Sequence, residues 1–149
     1  MEKWDSRLFR QEAEANAHQH RRNVVELEVL ESRRQMHLKV NELIQLATNS
    51  TLNTAEIRQQ LLLGAATFGN HFAPQLVRSL QRDDPHERQS VVWLLTLLND
   101  ARTVTPLRHM SHNRRLPRPI RLSAALALAG MGATEESKQG RRERLYAIS

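Results

Sequence analysis

An arginine recurs near the start of three apolar segments, at Arg58, Arg88 and Arg121, with spacings of 30 and 33 residues. After each arginine, in register, come Leu61/Val91/Ala124, Leu62/Val92/Ala125, Ala65/Leu95/Leu128 and Phe68/Leu98/Met131. Steps of three and four residues place side chains on one face of a buried helix. The next aligned position is Gly69, Asn99 or Gly132, residue types that accept the left-handed backbone at which helices stop. A fixed period of this kind constrains a chain to an array of equivalent helical units, each burying its apolar face on its neighbours.

The starts of the units are equally legible. Asp84-Pro85-His86-Glu87-Arg88 offers an N-cap aspartate, a proline suited to the first helical position and a Glu three residues beyond the cap. Asn53 and Glu56 repeat the cap spacing, and Pro117 or Pro119 marks the third start. The first two apolar helices are each followed by a short turn and a second helix. One is expected over Phe72–Leu80; the other starts near Asp100, a candidate cap, and runs through Thr105 to Met110. Leu76 and Leu107 take equivalent places on these second helices, and two short antiparallel helices per unit define an α-solenoid repeat.

The pattern Asp84-Pro-x-x-Arg88, an apolar helix, Asn99-Asp100 and a second helix around Leu107 resembles a short HEAT repeat, closest to the bacterial, phycobilin-lyase-like subtype. The resemblance covers roughly residues 53–133. It implies an all-α fold, a short right-handed α-solenoid of HEAT-like helix pairs, with about three repeats and the last incomplete. It also implies structural roles for Arg58, Arg88, Arg121, Asp84 and Asp100. The middle unit departs from the family's small residues by carrying Val92, Trp93 and Leu94. Such a motif specifies a scaffold and hardly any activity.

Ahead of the repeats no glycine occurs before Gly64 and no proline before Pro74, so residues 1–50 read as a helical segment packing on or projecting from a repeat domain over 51–149. One long helix or two shorter ones fit, with His20–Asn23 as the candidate break because Asn23 and Glu26 have capping-box spacing. Val25, Val29, Met36, Val40, Leu43 and Ala47 mark an apolar face. At the far end only Thr134–Ile148 remains to cover the third repeat, with apolar side chains confined to Leu145, Tyr146, Ala147 and Ile148. A homodimer through that open solenoid end or through the Val25–Ala47 face is therefore expected.

The net charge of +6 is unevenly placed: residues 1–50 balance, with eight basic and eight acidic side chains, whereas residues 101–149 hold ten basic and three acidic ones. Arg102, Arg108, Arg114, Arg115, Arg118 and Arg121 gather around the junction of the second and third repeats, and Arg141, Arg142 and Arg144 follow. Inter-repeat loops line one edge of a solenoid, so Arg82, Arg108, Arg114, Arg115 and Arg118 form the candidate partner-binding patch. Arginine suits bidentate carboxylates on an acidic protein surface, and equally phosphate backbones. Aromatic residues for base stacking are missing there apart from Tyr146. The expected function is a non-catalytic protein–protein interaction scaffold or adaptor, the alternative a nucleic-acid-binding protein using the arginine-rich C-terminal third.

Catalytic motifs are missing: there is no Gly-rich phosphate loop, no nucleophile elbow and no zinc-protease signature. Cysteine is absent, which removes disulfides and thiolate chemistry. His109 and His112 share a helix face without a carboxylate within a turn, so no metal and no cofactor is expected. Nothing in the sequence points to a bilin pocket of the kind found in HEAT-like phycobilin lyases. No stretch reaches the ~20 apolar residues of a membrane span and no apolar signal core follows the N-terminus, so a cytoplasmic protein is expected.

Overall fold

The computed structural model describes residues 2–132, with side chains from residue 8. Among the described residues the chain is all helical. α1 spans Glu2–Thr48, α2 Thr54–Phe68, α3 Phe72–Arg78, α4 Pro85–Leu98, α5 Val104–His112 and α6 Arg118–Gly130, with 3-10 turns at Gly69–His71, Ser79–Gln81 and Ala101–Thr103. No helix among them is long and apolar enough to cross a membrane. The Thr134–Ile148 segment and Arg141, Arg142, Arg144 and Tyr146 lie outside the described residues.

α1 is one helix, without the break at His20–Asn23. Asn in a helix interior costs only a few tenths of a kcal/mol more than its neighbours. Restarting at a cap would sacrifice several backbone bonds for one side-chain bond. The chain divides into two compact units, Met1–Gln35 and Met36–Ser149, with the boundary inside α1. In the first unit every described side chain, from Leu8 to Gln35, is exposed. In the second, Met36, Val40, Leu43 and Ile44 join the core. The Val25–Ala47 face is thus divided: Val25 and Val29 are exposed, whereas Met36, Val40 and Leu43 are consumed by the chain's own core and are closed to a second copy.

The second unit is built on α2, α4 and α6, whose burial repeats in register. Leu61, Val91 and Ala124 are fully buried. Ala65, Leu95 and Leu128 follow, then Phe68, Leu98 and Met131, all in or against the core. The Leu62/Val92/Ala125 column is a correction: Leu62 and Ala125 are exposed and Val92 is half-buried. Its place is taken by Gly64, Leu94 and Ala127, all buried. The reason is rotational. A residue one step after Leu61 is turned about 100° from it, whereas one three steps after is turned only about 60°. Gly64 is accommodated because α3 begins against it: a Cβ there would sit 2.8 Å from the Phe72 ring. Phe72 is fully buried and stacks on Phe68 with centroids 6.3 Å apart.

The helices end as their sequences require. Gly69, Asn99 and Gly132 adopt φ of 61°, 47° and 68°, so all three aligned stop positions use the left-handed region. Asn53 Oδ1 accepts the Glu56 amide at 2.8 Å and Asp84 Oδ1 the His86 amide at 2.9 Å. Glu87 does not close a reciprocal box with Asp84. Its carboxylate accepts instead from Arg82 at 3.2 Å and from Gln45 at 3.1 Å. The second helix of the first pair is shorter than Phe72–Leu80, tightening into a 3-10 turn from Ser79.

Packing within the second unit centres on α4 and α6. α2 meets α3 and α4, α4 meets α6, α5 lies along α6, and α3 meets α4 and α5. The last turns of α1 are tied in by polar bonds, Lys39 Nζ to Gln60 at 2.7 Å and Thr48 Oγ1 with Ser90 Oγ at 2.8 Å. Leu76, Leu80 and Leu107 complete the core.

Candidate interaction surface

The arginines of the candidate patch divide into those the fold uses and those it leaves outward. Arg82 is half-buried. It pairs with Glu87 at 3.2 Å and donates to Asn41 Oδ1. Arg88 donates from Nη1 to the carbonyls of Arg82 and Asp83 at 2.7 and 3.0 Å, pinning the loop that joins α3 to α4. These two hold the unit together. Among the other arginines assigned structural places, Arg58 is exposed, while Arg121 is half-buried with its Nε enclosed and unpartnered among the described residues.

At the turn between α4 and α5, Asp100 caps the Ala101–Thr103 turn by accepting the Arg102 amide at 2.9 Å, and it grips the same residue's guanidinium, Nη2 to Oδ2 at 2.8 Å. Arg102 also donates to Asn70 Oδ1. Asn70 belongs to the turn between α2 and α3, so the pair stitches the turn after α2 to the turn after α4. The Arg102 hydrogen bonds hold the Asp100 carboxyl below its ordinary value, against a smaller opposing effect of burial. A depressed carboxyl contributes stability above its unfolded pKa and loses that contribution as pH falls through the folded value. Wild type and Asp100→Asn are therefore expected to differ in urea midpoint at neutral pH and to converge below about pH 4, the ordinary aspartate range. A gap that persists unchanged into acid contradicts this.

The loop between α5 and α6 is different. Asn113 Oδ1 accepts the Arg115 amide at 3.0 Å and the Asn113 carbonyl accepts the Leu116 amide at 3.1 Å. This tight turn leaves Arg114 and Arg115 exposed. Pro117 and Pro119 flank Arg118, the first residue of α6, which is exposed as well. Ion pairs among the described residues engage Lys39, Arg82 and Arg102, and none involves this loop. Arg108 stands on α5 half-buried. The 3-10 turn Ser79–Gln81, just ahead of Arg82, packs against α6.

Sequence reasoning placed Arg114, Arg115 and Arg118 together, and the fold keeps them exposed, two on the turn before α6 and one at its first residue. It also grouped Arg82 and Arg102 with them. Their partners Asn41 and Asn70 stand 41 and 32 residues away, a tertiary pairing that no local pattern announces. His109 and His112 are both exposed, and no cluster of three or more potential metal ligands forms among the described residues. A shallow, open recess beside Trp93 is lined by Ala47, Thr48, His86, Gln89 and Ser90; it contains no carboxylate. Comparison of the chain with protein-family models, with curated proteins and with solved structures finds no match in any of the three.

Proposed function

We propose that this protein is a non-catalytic interaction scaffold, a short right-handed solenoid of about three HEAT-like helix pairs that binds another protein through the Arg114–Arg118 loop. The observation that carries the reading is the exposure of Arg114 and Arg115 on one tight turn and of Arg118 at the start of α6 while Arg82, Arg88 and Arg102 are occupied within the fold. Outward guanidinium groups on a rigid turn suit bidentate recognition of carboxylates. The repeated buried columns of α2, α4 and α6, and the matching left-handed stops, support the solenoid part of the reading.

A nucleic-acid partner is the second reading, favoured by the same cluster of positive charge. Residues 101–132 contain no Phe, Trp or Tyr, which leaves little stacking as a source of affinity on that surface.

The test compares wild type with the Arg114→Ala/Arg115→Ala/Arg118→Ala variant in affinity capture from the native cell, beside titrations of duplex and single-stranded nucleic acid across a salt series. Proteins retained by wild type and lost from the variant are expected, with weak and shallow nucleic-acid binding. Identical capture by both overturns the reading. Nucleic-acid affinity that falls steeply with salt and disappears in the variant replaces it with the second one.

A further inference from the structure

α6 keeps one face outside the core. Leu122 and Leu126, one turn apart, are 52% and 62% exposed, with Ala125 and Ala129 exposed beside them. Arg118 lies one turn before Leu122, so from N- to C-terminus this face is basic and then apolar. The equivalent of Leu126 on α4 is Trp93, which is half-buried and packed against the core beside Ala47 and Thr48 of α1. On α6 no described residue plays that covering part.

α1 carries a complementary face. Val24, Leu27, Glu28 and Glu31 fall at i, i+3, i+4 and i+7, one side of a helix, and all four are exposed, Leu27 at 65%. From N- to C-terminus this side is apolar and then acidic. Arg22 and Arg33 point away from it by the same helical geometry, with Arg21 and Arg34 at its two margins. Glu31 accepts a hydrogen bond from Gln35 at 2.9 Å, and no arginine pairs with it among the described residues. Leu27 to Glu31 spans the same four residues, about 6 Å of helix rise, as Arg118 to Leu122. Laid antiparallel, Leu27 meets Leu122 where Glu31 meets Arg118, and Val24 reaches Ala125 and Leu126.

We propose that the α6 surface binds a second copy of the chain, residues 24–31 of one protomer lying antiparallel along residues 118–126 of the other. This rests on the reading of the Arg114–Arg118 loop as a protein-binding edge and names one occupant for it. The contact joins two different surfaces, and in a two-fold pair each protomer gives one and receives the other. Antiparallel helices also bring the positive N-terminal end of α6 beside Glu31.

Light scattering on the intact chain through the micromolar range tests this. A mass of two chains is expected, reduced to one by Leu27→Asp or Leu126→Asp. Both positions are exposed, so an unchanged helical spectrum establishes that each variant still folds. Glu31→Arg and Arg118→Glu are each expected to weaken association by about tenfold or more, and the two together to restore much of it, since opposed charges fix register. A single-chain mass throughout, or a dimer indifferent to Leu27 and Leu126, overturns the proposal. The two readings fail separately. A monomer whose triple-arginine variant still loses its captured proteins removes only the self-contact. Capture unaffected by that variant removes the protein-binding edge, whatever the mass.

Discussion

Phe72→Ala is expected to destabilise the second unit by about 3–5 kcal/mol, the cost of removing a fully enclosed aromatic ring from a core that cannot collapse around the gap. Phe72 has no solvent exposure and opens α3 against the last turns of α2. Its ring stacks on Phe68, and its edge occupies the space a side chain at Gly64 would need. The two positions are therefore coupled. In the wild-type background Gly64→Ala drives a methyl into the ring, costing about 1–3 kcal/mol against a gain of about 1 kcal/mol in helix propensity. In the Phe72→Ala background the clash is gone and the same substitution becomes stabilising. Urea unfolding followed by circular dichroism, run on all four members of the cycle, reads this directly. Additive effects refute the contact.

Leu94→Ala is expected to cost about 2–5 kcal/mol, whereas Leu62→Ala changes stability by no more than about 0.5 kcal/mol. The two leucines look alike in the sequence, each following an arginine of the repeat within a few residues. Leu94 is fully enclosed because α4 has neighbours on both sides, α2 and α6. Leu62 is 55% exposed on the outer face of α2. Equal losses in urea midpoint for the two variants refute the buried register given by Gly64, Leu94 and Ala127.

That contrast also marks how far the sequence carries. The helix stops were fully legible, since few residue types tolerate the left-handed backbone and Gly69, Asn99 and Gly132 recur in step. Three of the four core columns were legible for the same periodic reason. The fourth was misplaced because Gly64 and Ala127 carry no apolar bulk to advertise burial, while Leu62 and Val92 do. Whether α1 breaks at Asn23 was open to local reasoning, because a cap and a tolerated interior asparagine have the same sequence. Arg114, Arg115 and Arg118 could be grouped by proximity in the chain. The engagement of Arg82 by Asn41, and of Arg102 by Asn70, depends on residues brought near only by folding. The arginines that define the repeat also differ in use. Arg88 follows a loop whose carbonyls turn back within its reach, whereas Arg58 follows Ser50–Asn53 and stays in solvent.

The continuity of α1 bears on how its first thirty or so residues become helical at all. Starting a helix in water is costly, with a nucleation parameter of roughly 0.001, while each further residue adds to an existing end at little or no cost. Met36 to Thr48 are ordered by burial, and they form an end already started, from which helix can grow toward the N-terminus across Leu8–Gln35 without a nucleation step of its own. The helicity of the exposed segment is in that sense borrowed from Met36, Val40, Leu43 and Ile44 at its root.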